Sequence, residues 1–194
     1  MRVLVLGAGA LACVIVAFRV LRCLSTPLLR RLDLYRYYSG RLMTMPAPSG
    51  LQLHLGTSFD FLHASDVSPR HSLRLLADGL LGICAAVERG DLPSSTVLTG
   101  TTYFFREATL RRFGLQPRQP GPLQRALVWI AWLELCLLHS LARGAPRLVR
   151  LERLLAVRFT AAEIVRRRRQ IEACRRALER GHRPQHWDGI PQTG

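Results

Sequence analysis

Two short segments share one pattern, Gly-Thr-[Ser/Thr]-[Phe/Tyr]-x-Phe. They are Gly56-Thr57-Ser58-Phe59-Asp60-Phe61 and Gly100-Thr101-Thr102-Tyr103-Phe104-Phe105. Glycine lets backbone N–H groups come close to an anion, and adjacent hydroxyls add further donors. The ligand such segments would hold is a phosphate or carboxylate, bound through Thr57, Ser58, Thr101 and Thr102, with Arg106 as a nearby cation. Asp60 and His63 follow the first segment and are the candidate general bases, with the Gly-Thr segments donating to a developing oxyanion. Packing offers the other explanation. Threonine and aromatic residues favour strands for their shape alone, and a glycine within a strand often marks a bulge.

Other chemistry is thinly represented. No serine sits in a nucleophile elbow, and no Ser/His/Asp order is legible. The five cysteines, Cys13, Cys23, Cys84, Cys136 and Cys174, are scattered and form no Cys-x-x-Cys or Cys/His cluster, so neither a zinc site nor another cofactor is expected. His182 and His186 have helical metal spacing, but Gly181 and Pro184 break a helix there. Gly7-x-Gly9-x-x-Ala12 resembles a dinucleotide fingerprint in spacing only. That motif needs a second strand ending in an acid about 20 residues on. The acid near that spacing, Asp33, follows Arg30 and Arg31, and no buried strand leads to it.

The elements that must position the Gly-Thr segments are readable. Leu51-Gln-Leu-His-Leu55 alternates with period two and predicts a strand. Ser68-Pro69 starts a helix, with serine as cap and proline at the first position. Leu73, Leu76, Leu80, Cys84 and Val87 recur along it at helical spacing, and Gly90 ends it. Thr96 to Thr99 begins a second strand, and Glu107 to Phe113 forms a short helix stopped by Gly114. A strand pair joined by a long helix is parallel and right-handed. Both Gly-Thr segments then lie at the carboxyl edge of the sheet, where open α/β sheets bind ligands. This small α/β domain is expected over 51–115.

The flanks address a different solvent. Val3 to Phe18 carries no charge, and the run to Leu21 carries only Arg19. It approaches the roughly 20 residues that cross a bilayer, so residues 1–22 are expected to form an uncleaved transmembrane anchor. A signal peptide is disfavoured because apolar residues continue past Cys13 without a polar break. Residues 23–50 are expected as a juxtamembrane segment. Thr26-Pro27 should break the helix there, LLRRLDLYRYY suits the headgroup zone, and 45–50 is a breaker-rich linker. Residues 123–142 form an apolar helix holding Arg125, Glu134 and His139. It packs on the domain, lies in the interface, or forms a second membrane helix, in which case Glu134 would be an intramembrane acid. Residues 146–181 are expected as a basic helical tail, with a Thr160/Glu163 capping box and Glu163/Arg167, Glu172/Arg176 and Glu179/Arg183 pairs. Residues 182–194 are expected to be mobile.

The net charge is +15, from 28 basic and 13 acidic residues, and every basic residue is arginine. Arginine without lysine, beside abundant Ala, Leu and Gly, fits a GC-rich, bacterial coding bias with no functional meaning. Residues 19–49 hold six Arg and one Asp, which orients the body to the cytoplasm beneath the inner membrane. Basic flanks also attract an anionic lipid bilayer. Nucleic acid is not an expected partner, because Arg166–Arg169 has no interleaved aromatics or recognisable module.

The fold class expected is therefore α/β: a small βαβ-containing domain with an N-terminal transmembrane helix and additional C-terminal helices. The expected function is a membrane-anchored protein whose cytoplasmic domain binds a partner or anionic ligand at the membrane surface. The alternatives are an enzyme acting on a phosphorylated or lipid-linked substrate, and a structural subunit packing with other membrane proteins.

Overall fold

The computed structural model describes the backbone of residues 2–180, except 64, 65, 67, 144 and 147. Within that range the side chains of residues 2–12, 15, 19, 22, 138, 139, 141–143 and 153 are outside the description. The chain is mixed α/β. Its elements are α1 (Arg2–Arg31), β1 (Arg36–Tyr37), β2 (Leu42–Ala47), β3 (Gly50–Leu55), α2 (Ser58–Leu62), α3 (Pro69–Glu88), β4 (Val97–Thr102), α4 (Glu107–Arg112), β5 (Pro117–Arg118), α5 (Pro122–Arg143), β6 (Leu155–Thr160), α6 (Ala161–Arg166) and α7 (Arg168–Glu179). Six strands form one sheet in the order β1-β2-β3-β4-β6-β5.

The βαβ unit is present. β3 and β4 run parallel, with Leu51, Gln52 and Leu53 opposite Leu98, Thr99 and Gly100. All other strand pairs are antiparallel. The crossover is α3. Ser68 caps it by accepting from the His71 N–H, and Pro69 occupies the first turn. Its apolar stripe, from Leu73 through Leu76, Ala77 and Leu80 to Ile83 and Cys84, is buried. Side chains alternate across a strand, so one sheet face gathers Leu42, Leu53, Leu98, Val157 and Phe159 into the core with α3, Ile164, Ile171 and Leu178. Helices α6 and α7 pack on α3 and complete that layer. The register aligns Met43, His54, Thr101 and Ala156 on the opposite face.

The sheet draws on more of the chain than 51–115. β6 lies within the segment expected to be a helical tail, and it pairs with β4 along its whole length. LAVRFT has the period of a strand, which the surrounding arginines obscure. β2 lies where the prolines suggested a linker. β1 covers it only at Met43 and Thr44, so Pro46 sits beyond the end of β1. An uncovered edge is where a strand tolerates proline.

Helix α1 also departs from expectation. It continues through Pro27 to Arg31 instead of breaking at Thr26, and Thr26 is buried. The transmembrane span expected over residues 3–21 is not shown: among the described residues no helix is long and apolar enough to cross a membrane.

The Thr160 cap forms as expected, with the Glu163 carboxylate accepting from the Thr160 N–H and hydroxyl. That carboxylate serves the cap and also feels the Arg166 and Arg167 charges, and the i,i+4 ion pairs of α7 seen among the described residues are Arg168–Glu172 and Arg175–Glu179. His182, His186 and Arg183 lie outside the described residues.

Candidate functional site

The carboxyl edge of β3 is built by one local turn. Gly56 has φ +85°, a conformation that favours glycine, and it swings the chain out of the strand into α2. Thr57 then caps α2. Its hydroxyl accepts from the Asp60 N–H at 3.3 Å, and the Asp60 carboxylate accepts from the Thr57 N–H at 2.7 Å. This reciprocal pair is a capping box with aspartate in the glutamate position. The same carboxylate oxygen, Oδ2, also accepts from the Thr57 hydroxyl at 2.9 Å and from the Tyr37 hydroxyl at 2.8 Å. Asp60 thus joins α2 to β1. Burial, followed by the hydrogen bond to Asp60, pushes the Tyr37 phenol well above the usual tyrosine range. The Arg30 guanidinium lies over the Tyr37 ring, 4.5 Å from its centre, which brings the end of α1 to the same junction.

Ser58, the first residue of α2, makes the second link. Its hydroxyl donates to Glu134 Oε1 on α5 at 2.5 Å. Tyr103, just past β4, is half-buried near this contact. Desolvation raises its phenol to about 12, and the nearby Cys136 and Glu134 push in the same direction. The inner side of α5 is fixed further along. Trp132 Nε1 donates to the Val149 carbonyl at 2.8 Å, and the Val149 N–H donates to Cys136 Sγ at 3.2 Å. Helix α2 touches both α1 and α5, so this short helix is the joint between the sheet and the two apolar helices.

The remaining candidates separate. Both Gly-Thr segments lie at the same edge, as parallel strands require. However, Gly100-Thr101-Thr102 lies within β4, whereas Gly56-Thr57 follows β3. Leu53, not Gly56, faces Gly100. The two motifs are therefore staggered by three residues, roughly 10 Å along a strand. Gly100 is a packing residue, since a Cβ there would rest against Leu53 and Val157. The Thr102 hydroxyl accepts from the backbone N–H groups of Phe104 and Phe105 and shapes the turn after β4. Thr101 is on the sheet face opposite the core. Arg106 is exposed at the start of α4 and makes no side-chain cap. His63 is exposed, with Nδ1 2.9 Å from the Phe59 carbonyl and its ring 4.2 Å from the Phe59 ring.

Tyr37, Arg41 and Tyr103 were not singled out by the sequence. Arg41 is buried. It donates to the Asp66 carbonyl and lies 5.9 Å from the Phe61 ring centre, and desolvation lowers its pKa. Only the alternation in LYRYY could have flagged Tyr37, because its partner lies 23 residues on. Among the described residues no group of three or more His, Cys, Asp or Glu could hold a metal ion.

The exposed apolar surface is concentrated on one part of the molecule. Every large hydrophobic side chain found exposed among the described residues lies on α1 or just after it, on α2, or on α5 and the segment after it. The described side chains from Cys13 to Leu21 are all exposed and span an arc of about 200° of α1. Contact with the domain begins near Cys23, and Thr26 is buried. No protein family, no curated protein and no solved structure matches the chain.

Proposed function

We propose that the protein is attached to a membrane through α1, and that its α/β domain works at the bilayer surface by binding a partner or an anionic ligand. The observation that carries this reading is the broad exposed apolar arc of α1 between Cys13 and Leu21. An exposed apolar arc of that width needs apolar surroundings, and the domain covers none of the described side chains in that stretch. The exposed arginines at the end of the helix, Arg30 and Arg31, favour a cytoplasmic body and an anionic surface. Binding of a partner fits better than catalysis or anion binding through the Gly-Thr segments, because the Asp60 carboxylate and the Ser58 and Thr102 hydroxyls are engaged within the fold.

Alkaline carbonate extraction of the full-length chain from cell membranes tests the attachment. Retention in the pellet is expected, and release into the soluble fraction would refute it. A cysteine placed at Ser49 should be inaccessible to an impermeant thiol reagent in intact cells. Strong labelling there, above that of the native chain, would reverse the orientation.

A further inference from the structure

Helix α5 buries one side and exposes the other. Val128, Ala131, Trp132, Leu135 and Cys136 turn inward to some degree, whereas Leu123, Leu127, Trp129, Ile130, Leu133 and Leu137 are exposed. At 100° per residue the exposed six span an arc of about 160° on a helix about 33 Å long. Trp129 is 65% exposed. The acid within α5, Glu134, falls about 20° inside one edge of the arc, with its Oε1 accepting from Ser58, and the rest of the arc carries no charge. Leu62 on α2, which touches α5, and Leu148 just beyond α5 are also exposed.

We propose that this outer face of α5 is a second membrane contact, lying in the plane of an anionic bilayer while the inner face stays on the domain. The inference rests on the attachment through α1 and adds a second point of contact. Charge selects the occupant. From 118 to 150 the chain carries Arg118, Arg125, Arg143, Arg147 and Arg150 against the single acid Glu134. An apolar helix bounded by arginines matches acyl chains beneath anionic headgroups. A second copy on the same face would instead bring two sets of arginines together. A crossing is disfavoured by the contacts of the inner face. The Ser58–Glu134, Trp132–Val149 and Val149–Cys136 hydrogen bonds would have to be broken or carried into hydrocarbon.

Tryptophan quenching by brominated phosphatidylcholine tests this in the full chain, reconstituted in vesicles with phosphatidylglycerol. W187F and W129F/W187F are compared, so that their difference reports Trp129. F18W/W129F/W187F reports α1 against the W129F/W187F background. All three changes are conservative, and Phe18 and Trp129 are exposed. Trp129 emission should fall about two-fold with bromines near the headgroups, as for a ring about 5–10 Å deep. If the Phe18→Trp signal is quenched and Trp129 is not, the second contact is refuted and the α1 attachment stands. Unquenched Trp129 together with a crosslinked dimer would assign the face to a second copy. If neither position is quenched, both readings fail.

Discussion

Replacing Asp60 by alanine separates a structural carboxylate from a catalytic one. Asp60 Oδ2 accepts from the Thr57 N–H, the Thr57 hydroxyl and the Tyr37 hydroxyl at 2.7, 2.9 and 2.8 Å. Loss of the reciprocal cap costs about 1 kcal/mol. Loss of the partner of a half-buried Tyr37 hydroxyl adds about 1–2 kcal/mol, because the phenol keeps its desolvation without its hydrogen bond. The expected loss is about 2–3 kcal/mol. For a chain of this length that is a Tm decrease of roughly 4–12 °C. Asp60→Asn keeps a carbonyl acceptor and should lose about half as much. The assay is thermal unfolding of the full chain in detergent micelles, followed by far-ultraviolet circular dichroism at neutral pH. A Tm within about 1 °C of the wild type for Asp60→Ala would refute the structural assignment. It would return Asp60 to the position of an unexplained carboxylate beside two hydroxyls, where the general-base reading would regain its footing.

Gly82→Ala in α3 should destabilise the chain by about 1–3 kcal/mol, although the same change in an open helix stabilises. A Cβ at Gly82 would collide with the backbone carbonyl of Tyr38, so α3 would have to move off the sheet edge; urea unfolding checks the sign. Stability should also fall at high pH. The folded-state pKa of Tyr103 is raised to about 12 from an ordinary 10, and that of Tyr37 is raised further. The stabilisation is therefore complete below about pH 10 and is lost as pH rises toward 12, at up to about 1.4 kcal/mol per unit for Tyr103 and less for the more solvent-screened Tyr37. Phenolate absorbance should show late titration that Tyr103→Phe and Tyr37→Phe each reduce, and complete titration by pH 11 in the folded chain would contradict the burial.

Local patterns carried much of the fold. The Ser68 cap, the Leu73-to-Cys84 stripe and the period-two run of β3 are decided by near neighbours, and they appear where those rules place them. β2 and β6 were hidden because their signals conflict with local context. The prolines around β2 are tolerated only because β1 is too short to cover Pro46, and β6 reads as a strand only once β4 and β5 flank it. The candidate site was legible in composition but not in geometry. Gly56 to Asp60 and Gly100 to Phe105 do lie at one edge, yet the register offsets them, a property of strand pairing that repeat matching cannot see. The partners that define the edge, Tyr37 for Asp60 and Glu134 for Ser58, lie 23 and 76 residues away and meet only through tertiary packing.

That packing bears on the choice between binder and enzyme. An oxyanion site needs donors aimed at an empty position and spared from other duties. Here the Thr57 N–H and hydroxyl point to Asp60, the Ser58 hydroxyl points to Glu134, and the Thr102 hydroxyl shapes its own turn. What these bonds produce is a rigid joint, with α2 holding the ends of α1 and the middle of α5 against the carboxyl edge of β3. A joint of that kind fixes how the sheet stands relative to whatever surrounds the two apolar helices. If those helices meet a bilayer, the sheet face bearing His54 and Thr101 is held at a set angle to it. Turnover would require one of these hydrogen bonds to open, and the Asp60 variants measure how much that opening costs.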